Sequence, residues 1–246
     1  MLTFLRKVRK SLIDSGSTRR YLIYAVGEIL LVMIGILLAL QVNNWNENNK
    51  LRKYEISSLK DIKSDLLVSA ENLKLCNNTD SLFVRNYDII LAHIQNSKPY
   101  HDSLKDHFAE LIEWATPTFS TGAYESLKSS KGLDVISNNS LRKEIIFIHE
   151  TRYSINLDRY EREEAMVHQE LMLPVFSDLF SYIWTESDKG AVPINYNDLL
   201  GNSKFINVLN LTRKYRISSF FAERDTYDRI QKLVKQIDKE IQRLEN

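Results

Sequence analysis

Five histidines and a dense set of carboxylates are the side chains of this 246-residue chain best suited to catalysis or metal binding. The histidines are His93, His101, His107, His149 and His168. Two of them stand about one helical turn from an acid, in the pairs His107 with Glu110 and Glu164 with His168. That spacing puts both groups on one face of a helix, where a pair could offer two ligands to a metal. No histidine follows a glutamate by three residues, which removes the Glu-x-x-His pattern through which helical bundles hold paired iron. In a chain that is 26% charged such pairs arise readily, and the histidines are expected to be structural or salt-bridged. No G-x-S-x-G, glycine-rich phosphate loop or H-E-x-x-H is present, so nucleophilic and phosphoryl chemistry have no anchor. The sequence assigns no catalytic residue, no metal ligand and no cofactor, and an enzyme is not the expectation.

One carboxylate stands where carboxylates are rare. Tyr21 to Val42 reads YLIYAVGEILLVMIGILLALQV, an apolar run interrupted only by Glu28 before Gln41. At a rise of about 1.5 Å per residue this run makes roughly 33 Å of helix, enough for a hydrocarbon core of about 30 Å. A carboxylate at the centre of such a span costs up to about 3 kcal/mol, so it is seldom kept without use. Glu28, Gly35 and Ala39 fall near one helix face, and Gly35 with Ala39 forms a small-xxx-small step that lets a second helix come close. The arrangement predicts a span that associates with another copy or with another membrane protein. In the alternative, Glu28 lies near the cytoplasmic headgroups and is hydrated or protonated there. One helix with one acid is no proton relay.

The flanks set an expected topology. Arg6, Lys7, Arg9, Lys10, Arg19 and Arg20 precede the span against one acid, Asp14. The positive-inside rule then holds residues 1–20 in the cytoplasm, with the membrane helix over residues 21–42 and residues 43–246 outside. The run passes through Leu40-Gln41-Val42 into Asn43-Asn44-Trp45 without a small-x-small cleavage site, so it reads as an anchor that is retained. Tyr21 and Tyr24 at one end and Trp45 at the other suit the interfacial aromatic belts. Residues 1–20 hold six basic side chains and one acid, and the rest of the chain 27 and 31. The basic charge therefore belongs to the membrane surface and its anionic lipid, which argues against nucleic-acid binding. A single cysteine, Cys76, forms no internal disulfide and leaves stability to packing.

Seven glycines and four prolines leave few breaks, and the apolar spacing is helical nearly everywhere. The expected fold is all-α: one N-terminal transmembrane helix followed by an elongated antiparallel helical bundle. Ile56, Leu59, Ile62, Leu66, Ala70 and Leu73 form one stripe on a helix over about 48–75. After a turn at Asn77-Asn78-Thr79, Phe83, Tyr87, Ile90, Leu91 and Ile94 form a second, ended by Lys98-Pro99. Short helices follow behind Asp102-Ser103 and over Gly122 to Ser130. A long helix runs from Asn139 to about Leu173, with Leu141, Ile145, Ile148, Arg152, Ile155 and Arg159 along one line. Either that line drifts around the helix, which is the expectation, or the two guanidinium groups are buried against carboxylates. Asp158 to Glu164, DRYEREE, reads as a solvated face. Pro174 kinks or ends the helix, Val175 to Trp184 continues it, and Thr185 to Tyr196 is the longest loop. From Ser203 one last helix of up to 44 residues carries Ile230, Leu233, Val234, Ile237, Ile241 and Leu244, and pairs antiparallel with the first.

Two blocks carry a resemblance. RRYLIYAVGEILLVMIGILLALQVNNWNE, from Arg19 to Glu47, resembles the signature of an uncharacterised single-span membrane family abundant in Bacteroidota. AYESLKSSKGLDVISNNSLRKEI, from Ala123 to Ile145, is similar to a segment of related envelope proteins, with Lys131 where a small residue is expected. The resemblance implies an inner-membrane protein with a helical periplasmic domain and brings no activity or catalytic residues. In the second block Tyr124 and Leu127 are expected to bury one side of a short helix. Gly132 reverses the chain, and Leu133, Val135 and Ile136 plug the bundle. The sharper alternative is a ligand corner in which Tyr124, Ser129, Ser130, Gly132 and Asn138 surround the reversal. These readings favour a membrane-anchored interaction or scaffold protein, self-associating or partner-binding. The alternative is a ligand-sensing module that signals through a partner.

Overall fold

The computed structural model describes residues 18–246 and divides the chain into two units, 1–54 and 55–246. Arg6, Lys7, Arg9, Lys10 and Asp14, on which most of the topology argument rests, lie outside the described residues. The described part of the first unit is helix, the opening of α1 (Thr18–Gln95). Among the described residues α1 is the one helix long and apolar enough to cross a membrane, with a window of mean hydropathy 2.5 and none of that window buried. A membrane anchor and a signal sequence share that composition.

The second unit is mostly helical. Its frame is the later part of α1 and the C-terminal helix α8 (Ser203–Glu245), one helix of 43 residues as expected. Asn202 starts α8 by accepting from the Phe205 N–H at 3.0 Å. The cross-links between the two helices descend in order: Lys60 to Glu245 at 2.8 Å, Asn77 to the Phe220 carbonyl at 2.7 Å, and Asp88 to Arg213 at 2.6 Å. The pair is therefore antiparallel. Leu59, Ile62, Leu66 and Leu73 on α1 are buried, as are Ile230, Leu233, Ile237 and Leu244 on α8. Removing each such side chain from water contributes about 1.5–3 kcal/mol.

The expected turn at Asn77-Asn78-Thr79 does not form, and α1 runs through it to Gln95. No glycine or proline interrupts the backbone there, and the polar side chains find partners within the helical frame: Thr79 Oγ1 donates to the Leu75 carbonyl, and Asn77 reaches α8. The helix ends one residue pair short of Lys98-Pro99. Lys98 N–H donates to the His93 carbonyl and Ser97 N–H to that of Ile94, both at 3.0 Å, with Ser97 at φ +47°. This is a Schellman closure with serine where glycine is usual. Ser97→Gly is expected to stabilise the protein by about 0.5–1 kcal/mol, because it removes the left-handed strain of a side chain at positive φ. A melting temperature raised by roughly 2 °C would register it.

Short helices cover the frame: α2 (Leu104–Ala109), running into a 3-10 turn Glu110–Ile112, and α3 (Gly122–Ser129). Beyond α3 the Gly132 N–H donates to the Leu127 carbonyl at 3.0 Å, and Gly132 takes φ +82°, the expected reversal. A helical run then extends over 139–179. It comprises α4 (Asn139–Ile146), an 11-residue π segment (Phe147–Leu157), α5 (Asp158–Val167), a second π segment (His168–Met172) and α6 (Leu173–Leu179). Pro174 does not break it. It lies in the first turn of α6, where a missing N–H costs least.

The stripe drawn at α-helical spacing fails inside the first π segment. There the buried residues are Ile148, His149, Tyr153 and Leu157, while Ile155 is exposed. Wider turns shift which residues share a face. Arg159 is exposed, as drift predicts. Arg152 is not: its guanidinium meets Asp225 at 2.7 Å and Thr226 Oγ1 at 2.8 Å, so for this residue the buried alternative holds.

The second correction is a β-hairpin. Val175 to Trp184 is not continuous helix, because α6 stops at Leu179 and Phe180–Trp184 forms β1. It pairs antiparallel with β2 (Lys189–Pro193), in register from Phe180 opposite Pro193 to Trp184 opposite Lys189. The segment is aromatic and β-branched, with Phe180, Tyr182 and Trp184 on one face, a pattern strands accept better than helices. Half of the expected loop is thus strand, followed by the short helix α7 (Tyr196–Leu200). Gly190 takes φ +145°, and the Lys105 stem fills the space its Cβ would need. Phe180, Ala191 and Phe205 join Phe83, Tyr87, Ile90, Phe108 and Phe176 in the core at this end of the domain.

Candidate functional site

The described residues bring together one arginine and an excess of carboxylates inside the domain. Arg216 of α8 is 0% exposed, although arginine is among the residues least often fully buried. Its Nη1 meets Asp80 Oδ1 of α1 at 3.0 Å, and its Nη2 meets Glu164 Oε1 of α5 at 2.9 Å. Nη2 also donates to the Glu113 carbonyl at 2.9 Å, and the guanidinium lies 4.7 Å from the centre of the Phe83 ring. Ser219 Oγ donates to Glu164 Oε2 at 3.0 Å. Three helices are thereby tied to one cation.

One cation does not balance this group. Asp80 and Glu223 are buried to 0% and 2% exposure, and Asp80 Oδ2, Glu223 Oε2 and Arg216 Nε make no hydrogen bond among the described residues. Burial pushes the Glu223 carboxyl up to about 9, with the charges of Asp80, Glu164 and Glu161 adding to it and a hydrogen bond from Asn77 opposing. Burial likewise lifts Asp80 to about 7, against the pull of Arg216, and raises Glu164. Half-buried Glu161 is lifted to about 7 by burial and by Asp158 and Glu164. The same surroundings push the Cys76 thiol up to about 12. A buried carboxyl left without a cation keeps its proton, so at neutral pH Glu223 is a neutral acid. The cluster can fix helix register and hold protons. With Arg216 and Asp80 closed to solvent, it cannot touch a substrate in this conformation.

Of the two buried histidines, His168 lies close enough to feel Arg216, and His149 sits apart. His168 packs against Trp114 at 5.0 Å between ring centres, and burial holds it below the usual imidazole range. His149 is stacked on Tyr124 at 4.2 Å and 3° and meets Tyr153 edge-on, and burial lowers it to about 4. Both are neutral at physiological pH. The sequence pairs do not become ligand pairs. Glu164 turns to Arg216 rather than to His168, and His107 and Glu110 both bind Asn86. Among the described residues no group of three or more His, Cys, Asp or Glu is arranged to hold a metal.

Glu28, Gly35 and Ala39 all lie on the exposed helix of the first unit, in one line at i, i+7 and i+11. In the second unit Tyr124 is buried, and its hydroxyl donates to Glu150 at 2.8 Å. Ser129 and Ser130 turn back to carbonyls of their own helix, at Glu125 and Ser126. Asn138 caps α4 through the Leu141 N–H and donates to Glu240 at 2.9 Å. Beside it, Ser137 gives its N–H and hydroxyl to Glu55, at 2.7 and 2.9 Å. Ile136 is fully buried, whereas Leu133 and Val135 are half-buried. The chemistry around Gly132 is thus that of helix ends tied to α1 and α8.

Sequence reasoning missed the arginine cluster and misread its parts. DRYEREE is not wholly a solvated face, because Glu164 is buried on Arg216. A signal was present at heptad spacing. Leu66, Leu73, Asp80, Tyr87 and Ile94 stand seven apart, as do Leu209, Arg216, Glu223, Ile230, Ile237 and Leu244. Charged residues at such positions sit in an apolar seam, where they specify register at a cost in stability.

The fold and this interior define a mostly helical protein with one candidate membrane span and a helical domain closed over a buried arginine–carboxylate cluster. The chain belongs to DUF6090, a family of unknown function whose model matches residues 28–215. The match begins at Glu28 and takes in Asp80 and Glu164. No curated protein and no solved structure matches the chain.

Proposed function

We propose that this protein is an inner-membrane interaction protein, anchored by α1 with its N-terminus in the cytoplasm and its helical domain in the periplasm, and that its span associates with a second copy or with another membrane protein. One observation carries the reading. The apolar window of α1 is unburied by the rest of the chain, and Glu28, Gly35 and Ala39 share one line on it. Such a line permits close backbone approach, and a neighbouring helix offers the carboxyl a partner away from lipid.

Purified full-length protein weighed in mild detergent is expected to be an oligomer or to carry a defined membrane partner. Gly35→Leu and Glu28→Leu are each expected to dissociate it, weakening association about tenfold or more, since model membrane contacts of this kind are worth about 1–2 kcal/mol. A monomer that co-purifies with nothing would overturn the reading. A groove on the second unit favours a second role, ligand sensing.

A further inference from the structure

That groove is walled by Pro117, Phe119, Thr121, Tyr153, Ser154, Asp158 and Glu161 and encloses about 470 Å³, within the range of small-molecule sites. The first π segment builds it. The Asp158 N–H closes a wide turn on the Tyr153 carbonyl, and Tyr153, Asp158 and Glu161 line the same groove. Wide turns of this kind recur at functional sites. Phe119 stacks on Tyr153 at 4.0 Å and 11°, so the floor is a double layer of aromatic rings. Tyr153 is only 4% exposed, so the ring surface left to the groove is that of the half-buried Phe119.

The charge of the groove is one-sided. Asp158 is shared with the solvent-exposed Arg162, while no basic side chain among the described residues pairs with half-buried Glu161. The charges nearest Glu161 are the carboxylates of Asp158 and of Glu164, the latter held by Arg216. Aromatic faces beside an unpaired carboxylate attract a cation that can shed its water. Organic ammonium groups do so readily, whereas small inorganic ions prefer several oxygen ligands.

We propose that this groove binds a small organic ammonium compound, its cationic head between Phe119 and Glu161 and its polar end toward Thr121 and Ser154. The site is independent of any association by the span. Choline serves as the probe, titrated calorimetrically into the full-length protein in detergent, with calcium chloride as the inorganic comparison. The expected result is saturable choline binding that Glu161→Gln and Phe119→Leu each weaken about tenfold. Glu163→Gln, on the same helix but outside the groove, leaves it unchanged. Phe119→Leu keeps the test decisive if Glu161→Gln fails to fold by circular dichroism. Absence of saturable binding, binding unaltered in both groove variants, or calcium competing at equal concentration would each overturn the proposal.

Discussion

Arg216→Met is expected to unfold much of the helical domain. The substitution removes the one cation that Asp80 and Glu164 share and leaves both carboxyls buried without it. Breaking a buried pair from one side costs about 3–5 kcal/mol, because the desolvation of the remaining partners is no longer offset. For a domain of this size that is a melting temperature lower by roughly 10 °C or more. The lost hydrogen bond to the Glu113 carbonyl and the lost contact with Phe83 add to the effect. Adding Asp80→Leu and Glu164→Leu should return most of the stability, since an apolar seam of similar volume needs no ion pair. A triple variant as unstable as the single would show that volume, and not charge, decides this position. Thermal unfolding followed by circular dichroism reads both.

Glu223→Gln should act in the opposite direction, by an amount that grows as the pH climbs from about 5 to 9. A carboxyl whose folded pKa stands near 9, above its ordinary 4.5, binds its proton more tightly in the folded protein. Its contribution to stability is complete below the unfolded value and is lost as the pH climbs through 9. Asp80 and Glu161, both lifted to about 7, weaken the fold in the same direction over a lower range. His149, lowered to about 4, opposes them by weakening it as the pH falls below the usual imidazole value. Glutamine imitates the protonated acid. The variant should nearly match the parent near pH 5 and exceed it by on the order of 5 kcal/mol near pH 9, roughly 10 °C or more in melting temperature. Equal melting temperatures for parent and variant across that range would mean that Glu223 is ionised in the native state.

Most of the frame could be read from spacing alone. The α1 stripe, the extent of α8, the exposed span and the reversal at Gly132 all follow from apolar periodicity and glycine placement, rules that act over a few residues. What escaped was of two kinds. The hairpin at Phe180 escaped because aromatic residues suit both helix and strand, and pairing with Lys189–Pro193 decided between them. The cluster escaped because charge was taken as a sign of solvent. Asn77-Asn78-Thr79 looks like a turn and DRYEREE like a surface, yet Asp80 directly after the one and Glu164 of the other face Arg216 from far along the chain. Helical phase would have exposed the conflict, since Asp80 and Arg216 each keep seven-residue step with leucines.

The cross-links of α1 to α8 join residues 125 to 185 positions apart. A chain made at about 5–20 residues per second therefore spends several seconds with Asp80 and Glu164 already synthesised and Arg216 still to come. During that interval α1 has no α8 to cover its leucines, and both acids stay hydrated instead of buried. The domain thus closes only once Arg216 and the rest of α8 have been made, so a chain cut off before Arg216 lacks both the cation of its cluster and the cover of α1.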